Sequence, residues 1–169
     1  MSSPILTTNR LIIRQFSLDD AQSMFDLNND PEVIRYTGDP PFSSLQAAQN
    51  FLENYKDYEQ NGYGRWAVLL QENQEFLGWC GLKYSPDKDE TDIGFRFFRK
   101  HWNKGYATES ATAALNYGFK QLGFKKIVGR AMKANTASIR VLEKLGMHYE
   151  KDIEMDGQTA VQFLITSEK

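Results

Sequence analysis

The sequence predicts an α+β (α/β) sandwich: one mixed, mainly antiparallel sheet flanked by helices. Three observations carry this reading. The middle of the chain holds three β-rich runs in succession, Arg65–Leu70, Phe76–Tyr84 and Thr91–Phe98, joined only by polar turns, which suits an antiparallel meander. The chain then runs helix, strand, helix before a closing hairpin. The alternation of strands and helices is also too irregular for a doubly wound nucleotide-binding sheet.

In order along the chain, Leu11-Ile12-Ile13-Arg14-Gln15-Phe16 is a short β-rich run. Ser17 opens a helix, with Asp20 three residues on in a capping-box pattern, and Ala21, Met24, Phe25 and Leu27 share one side. That helix stops near Asn28-Asn29-Asp30-Pro31. Beyond the turn Gly38-Asp39-Pro40-Pro41, Ser43 and Gln46 mark a second helix carrying Ala48, Phe51, Leu52 and Tyr55 at helical spacing. The meander follows, with turns at Gln71–Gln74 and Ser85–Glu90. The loop Arg99–Gly105 leads into a long helix whose face of Ala107, Ala111, Ala114, Leu115, Gly118 and Leu122 can lie close on a sheet, and Gly123 ends it. Ile127–Met132 is the next strand, and Asn135 begins a short helix with Ile139, Leu142 and Leu145 inward, closed by Gly146. His148–Met155 and Gln158–Thr166 form a hairpin around Asp156-Gly157. No linker or repeat interrupts the pattern, so a single domain over residues 1–169 is expected.

Composition narrows the function classes. Apolar residues make up 41% of 169, and eleven Phe, eight Tyr and three Trp supply bulk, enough for a core without staples. A formal charge of −2 argues against nucleic acid, whose phosphates select a basic surface, and suits a cationic small molecule or peptide better. Cys80 is the only cysteine, which excludes an internal disulfide and an all-Cys metal site, and no metal is expected. The start Met1-Ser2-Ser3-Pro4 has no basic cluster followed by an apolar run, and no stretch approaches the roughly 18 apolar residues of a membrane span. The expectation is a cytoplasmic protein without a membrane partner.

The most informative stretch is Asp92-Ile93-Gly94-Phe95-Arg96-Phe97-Phe98 followed by Trp102-Asn103-Lys104-Gly105-Tyr106-Ala107-Thr108-Glu109. A strand feeds a short loop and then a helix start, where free N–H groups and the positive end of the helix dipole favour a phosphate or pyrophosphate. Gly105 has no Cβ to hold a ligand away, Ala107 keeps that clearance, and Lys104 adds positive charge. A Walker loop needs a Lys after its glycine, and a dinucleotide fingerprint needs three spaced glycines, so both fit worse. The alternative is a helix start whose glycine serves packing alone.

This run resembles the acyl-CoA-binding motif of the GNAT acetyltransferases, most closely the Rim-type branch of ribosomal-protein N-terminal acetyltransferases. Leu6-Thr7-Thr8-Asn9-Arg10-Leu11-Ile12-Ile13-Arg14 with Asp19-Asp20-Ala21 is similar to that branch's opening. Asn135-Thr136-Ala137-Ser138 through Lys144-Leu145-Gly146-Met147 is similar to its late helix. The superfamily pattern has Gln or Arg where this chain has Trp102, and Phe where it has Met147.

The resemblance implies a sheet splayed between its fourth and fifth strands, after Phe98 and before Ile127, with the pantetheine arm of acetyl-CoA in the gap. It implies pairing of that arm around Phe97 and Phe98, and a pyrophosphate held by Asn103, Lys104, Gly105, Tyr106, Ala107 and Thr108. Asn135 matches the side chain that meets the pantetheine amides, a role compatible with simple helix capping. The acetyl acceptor is a primary amine, either a protein N-terminal α-amine or a small-molecule amine. A lysine-like amine is mostly protonated at neutral pH, so it needs a base more than an α-amine does. The backbone N–H of Phe97 or Phe98 is the candidate oxyanion donor. Where many relatives carry a tyrosine acid this chain has Leu142, and the Rim-type match makes Ser138 the catalytic candidate, its alternative being a small residue in a first helical turn. Asp92, Glu109, Glu154, His101 and His148 are the possible bases, each with an ordinary structural role as its alternative; for His101 that role is a surface side chain. Cys80 is expected to be inert rather than an acyl carrier, since direct attack needs no covalent stage. Tyr36, Phe42, Tyr55, Tyr58, Tyr63 and Trp66 gather where the family builds its acceptor pocket, two or three of them facing substrate and the rest core. A homodimer is consistent with the resemblance. The competing classes are a non-catalytic acetyl-CoA-binding regulator or scaffold and a nucleotide-binding module.

Overall fold

The computed structural model describes residues 3–167. An edge hairpin, β1 (Pro4–Thr7) and β2 (Leu11–Arg14), precedes a 3-10 turn (Leu18–Asp20) and helix α1 (Ala21–Leu27). Helices α2 (Leu45–Glu53) and α3 (Asp57–Asn61) lead into the meander β3 (Arg65–Leu70), β4 (Phe76–Ser85) and β5 (Glu90–Phe97). A 3-10 turn (Arg99–His101), α4 (Tyr106–Lys120), β6 (Lys126–Met132), α5 (Thr136–Lys144), β7 (His148–Met155) and β8 (Gln158–Thr166) complete the chain. The strands form one sheet in the order β1-β2-β3-β4-β5-β6-β8-β7, antiparallel except for β5 and β6. This is the mixed, mainly antiparallel sheet with flanking helices that the sequence pattern predicts.

Differences from the expected elements have local causes. Strand β2 stops at Arg14 because its guanidinium turns to Asp20, with both Nη atoms 2.8 Å from the carboxylate oxygens. The same carboxylate accepts the Ser17 N–H at 2.9 Å, so the capping pattern opens a 3-10 turn before α1. Helix α2 starts one residue later than expected, since Ser44 Oγ accepts the Ala47 N–H at 3.1 Å. Strand β1 and helix α3 were not anticipated. Four and five residues respectively are too few to show a period, and both are shaped by neighbours.

Helix α4 lies on β4 and β5 through Ser110, Ala111, Ala114, Leu115 and Gly118. A Cβ on Gly118 would stand 2.9 Å from Ile127 Cδ1 and 3.1 Å from Leu82 Cδ1, so the glycine sets the closeness of helix and sheet. A smaller cluster of Ala21, Met24, Leu27, Val33 and Leu52, with Trp79 and Phe98 against it, packs around α1 and α2.

The feature that positions the site is the parallel pair. Strands β5 and β6 are in register only at Asp92↔Val128 and Ile93↔Gly129, although they span eight and seven residues, so their C-terminal halves part. Counting the extra β1, the splay falls between the fifth and sixth strands rather than the fourth and fifth. At its apex Leu142 packs on Gly129, where a Cβ would stand 2.7 Å from Leu142 Cδ2. Below it, Arg130 ties the strands together through Glu90 at 2.6 Å and Asp92 at 3.2 Å.

Candidate active site

Backbone parity decides which groups face the gap. In an antiparallel pair, hydrogen-bonded and non-hydrogen-bonded positions alternate. The Phe98 N–H donates to the Leu77 carbonyl at 3.0 Å, and Phe97 is opposite Gly78 with Phe95 opposite Cys80. The N–H and C=O groups of Phe95 and Phe97 therefore point away from β4, into the space that β6 has left. Phe98 cannot serve there because its N–H already holds the meander together. Phe95, which the sequence analysis passed over, is legible from parity alone: it stands two residues from Phe97.

That space is a cavity of about 530 Å³. Eight of the ten expected site residues line it: Phe97, Asn103, Gly105, Tyr106, Ala107, Thr108, Asn135 and Ser138. Lys104 is exposed beside it, and Phe98 packs instead against Phe76 and the α1–α2 cluster.

The α4 end of the cavity is built by backbone conformation. Asn103 and Gly105 adopt positive φ of 63° and 83°, turning the loop so that the first amides of α4 open outward. The Glu109 N–H makes the first helical bond, to the Gly105 carbonyl at 2.9 Å, which leaves the N–H groups of Tyr106, Ala107 and Thr108 without helical acceptors. This turn is clamped from the β1–β2 hairpin. Glu109 accepts from Thr8 Oγ1 at 2.6 Å, from the Arg10 N–H at 2.9 Å and from Arg10 Nε at 2.7 Å, while the Arg10 guanidinium lies 4.4 Å over the Tyr106 ring. Burial pushes the Glu109 carboxyl up, but these partners outweigh it and hold the group below the usual carboxylate range.

Trp102 closes the same end. Its Nε1 donates to the Phe97 carbonyl at 2.9 Å while its ring remains 41% exposed on the cavity wall.

Across the gap, Asn135 caps α5. Its Oδ1 accepts the Ser138 N–H at 3.2 Å and its Nδ2 donates to Ser138 Oγ at 3.0 Å. With that hydroxyl accepting from Asn135, its own proton is free to be donated into the cavity. Leu142 is only 1% exposed against Gly129, so its side chain faces the core rather than the cavity.

The chain matches the family model described as an acetyltransferase (GNAT) domain over residues 10–148. It belongs to the GNAT acetyltransferases. A Bacillus subtilis protein, YkkB, is 38% identical over 155 residues, covering 88% of this chain and 87% of its own. A GNAT-family acetyltransferase from Bacillus anthracis superposes with a TM-score of 0.83 at 28% identity, covering 97% of this chain and 99% of that one. The fold alone is shared with RimL, a ribosomal L7/L12 α-N-protein acetyltransferase in complex with coenzyme A, at a TM-score of 0.83, 14% identity and coverage of 97% and 98%. As a GNAT enzyme, the protein takes its acetyl group from acetyl-CoA. Two features of the chain fit that donor: the open α4 turn suits its anionic end, and the Phe95–Phe97 edge suits an arm that carries amides.

The remaining candidates separate by position. Asp92 is held between Arg65 at 2.8 Å and Arg130 at 3.2 Å, outside the cavity, and Glu109 is consumed by its clamp. Glu154 and His148 are exposed on the β7–β8 hairpin. His101 was expected at the surface but is buried, its Nε2 3.1 Å from Glu75 and its ring edge-on to Tyr106, so it lines the α4 end of the cavity. Cys80 is fully buried in β4, and desolvation raises its thiol to about 12, leaving no thiolate for acyl transfer. Of the six aromatic residues proposed for the acceptor pocket, only Tyr36 lines the cavity. Tyr63 and Trp66 are core, and the hydroxyls of Tyr55 and Tyr58 accept the backbone N–H groups of Arg65 and Phe16. The segment between α1 and α2 instead brings Glu32, Val33, Arg35, Tyr36 and Thr37 to the cavity. No period in the sequence could have found them, because this segment is irregular. Among the described residues no group of three His, Cys, Asp or Glu gathers as a metal site, and no helix is long and apolar enough to cross a membrane.

Proposed function

We propose that the protein transfers the acetyl group of acetyl-CoA directly to a primary amine, a peptide α-amine or a small-molecule amine, within a ternary complex. The observation that carries this reading is the edge of Phe95 and Phe97, turned away from β4, sharing one cavity with the open α4 turn and Ser138. The N–H groups of Tyr106, Ala107 and Thr108, with Asn103 and Gly105 shaping the turn, hold the pyrophosphate, and exposed Lys104 adds charge beside them. Phe97 pairs with the pantetheine arm, and the Phe95 N–H, nearer the apex, receives the oxygen that gains negative charge as the amine attacks. Asn135 orients Ser138, whose free hydroxyl proton goes to the departing sulfur as the hydroxyl regains a proton from the nitrogen that attacked, leaving amide and free thiol. Acetyl-CoA supplies the activated thioester, and a second carrier is unnecessary.

Among the described residues the cavity offers no carboxylate except Glu32, so an amine that is partly unprotonated near neutrality suits it best. A peptide α-amine, with a pKa near 7.7–8.0, meets that condition without a dedicated base. The Rim-type likeness of the Trp102–Glu109 and Asn135–Met147 segments points the same way. Sharing a fold with RimL does not select the acceptor, because function resides in the site.

The test is a thiol-release assay with acetyl-CoA against N-terminal peptides and small amines, with Gly105→Glu in parallel. Turnover that is lost in the variant, with initial-rate lines that intersect as both substrates are varied, is the expected result. Parallel lines would overturn direct transfer, and failure to bind acetyl-CoA would overturn the site itself.

A further inference from the structure

The acceptor end of the cavity carries information about its substrate through its charges. The whole lining contains four permanently basic side chains, Arg35, Arg96, Arg140 and Lys144, against the single carboxylate of Glu32. Arg140 and Lys144 stand on α5 across from the α4 turn, where a polyanionic cosubstrate uses them. Arg35 and Arg96 belong to the other end, around the segment between α1 and α2.

The two differ in freedom. Arg96 is built in: it donates to Asn28 Oδ1 and Asp39 Oδ2 at 2.8 Å each, lies 5.2 Å over the Trp79 ring, and its side chain is 11% exposed. Arg35 is loosely held. Among the described residues its only charged partner is Glu32 at 3.7 Å, it stacks 5.1 Å over Tyr36, and its side chain is 60% exposed. A guanidinium so lightly held keeps donors available for an incoming anion. Of the carboxylates near this end, Asp92 is held by Arg65 and Arg130 and Asp39 by Arg96, while Asp156 of the β7–β8 turn lies against Gly38 rather than in the cavity lining.

We infer that the acceptor is an amine carrying a carboxylate a few bonds from its nitrogen, with Arg35 as the anion-recognising, specificity-determining residue and Glu32 beside the ammonium. A polyamine offers Arg35 no carboxylate, and its second cation is repelled by that lightly held guanidinium. The inference rests on the acetyl-transfer reading above. The recognised chemistry occurs both in free amino acids and in peptides whose first residue is acidic.

The experiment compares kcat/KM for glutamate, glutamyl-alanine, the corresponding carboxamides and spermidine, in the native enzyme and in Arg35→Glu and Arg35→Ala. The carboxylate amines are expected to exceed their carboxamides by roughly tenfold or more, the worth of one charge-assisted hydrogen bond, with spermidine lowest. The ratio between glutamate and glutamyl-alanine assigns the source of the carboxylate. Both variants are expected to erase the preference by raising the acceptor KM, with the acetyl-CoA KM unchanged. Arg35 is exposed, so folding survives either change. Spermidine turning over as well as the carboxylate amines, or a preference that persists in Arg35→Glu, would overturn the inference while leaving acetyl transfer intact. Absence of thiol release with every amine would overturn both.

Discussion

The indole Nε1 of Trp102 donates to the carbonyl oxygen of Phe97 at 2.9 Å, which ties the residue opening the loop before α4 to the strand edge that faces the cavity. The amide edge and the helix start, which we propose hold acetyl-CoA, are thereby held in one geometry. Trp102→Phe keeps a ring but loses this donor. The acetyl-CoA KM is expected to rise about three- to tenfold, as for one net hydrogen bond. An unchanged KM would show that the bond does not organise the site.

Ser138→Ala removes the hydroxyl that Asn135 orients. Because a thiolate is already a fair leaving group, kcat should fall only about ten- to a hundredfold, the low end of general acid catalysis, with both KM values nearly unchanged. Leu142→Tyr in that background should not restore the rate, because Leu142 is packed against Gly129 rather than facing the cavity. Rescue by Leu142→Tyr would place the acid at the position usual among relatives.

Glu109 gives a pH signature. Its folded pKa is depressed, burial opposing and the Thr8 and Arg10 bonds prevailing. A depressed carboxylate contributes stability that is fully present above its unfolded pKa of about 4.3 and is lost as pH falls through the lower folded value. Thermal unfolding should therefore show Glu109→Gln less stable than the native chain at pH 7, with the difference shrinking below about pH 4. A difference that is constant with pH would mean that the glutamine costs packing alone.

Cys80 should be silent. With the thiol buried and raised to about 12, treatment with iodoacetamide at about pH 8 should leave activity unchanged over times that block a free thiol. Inactivation protected by acetyl-CoA would instead revive an acyl-enzyme.

Gly105→Ala tests backbone conformation separately from charge. At φ +83° an alanine is strained by about 1–2 kcal/mol, and its Cβ would stand 3.2 Å from Arg10 Nη2. Weaker acetyl-CoA binding and a lower melting temperature should appear together, whereas Thr112→Ala, on the same helix, should move neither.

The stretch proposed to hold the cofactor was legible because it is written in local chemistry. The strand-loop-helix run from Asp92 to Glu109 needs its glycine and its small residues at fixed spacing whatever surrounds them, and Asn135 and Ser138 are one capping turn. Phe95 could have been found as well, since strand parity pairs it with Phe97. The misassigned Phe98 shows the limit of reading one strand alone: which of two neighbouring residues faces a gap depends on the register with β4.

By itself, the sequence determined the order of the longer elements and a helix start suited to a phosphate, because each follows from residue type and spacing within a few turns of chain, while the acetyl donor came from the resemblance of three ordered segments to one family. Tertiary structure alone decided the rest. It set β5 and β6 apart after Ile93, buried His101 on Glu75, turned Leu142 to the core and brought Arg35 and Arg96 to one end of the cavity. Those contacts join residues far apart in sequence, and their geometry is fixed by packing and charge pairing, which no local pattern records.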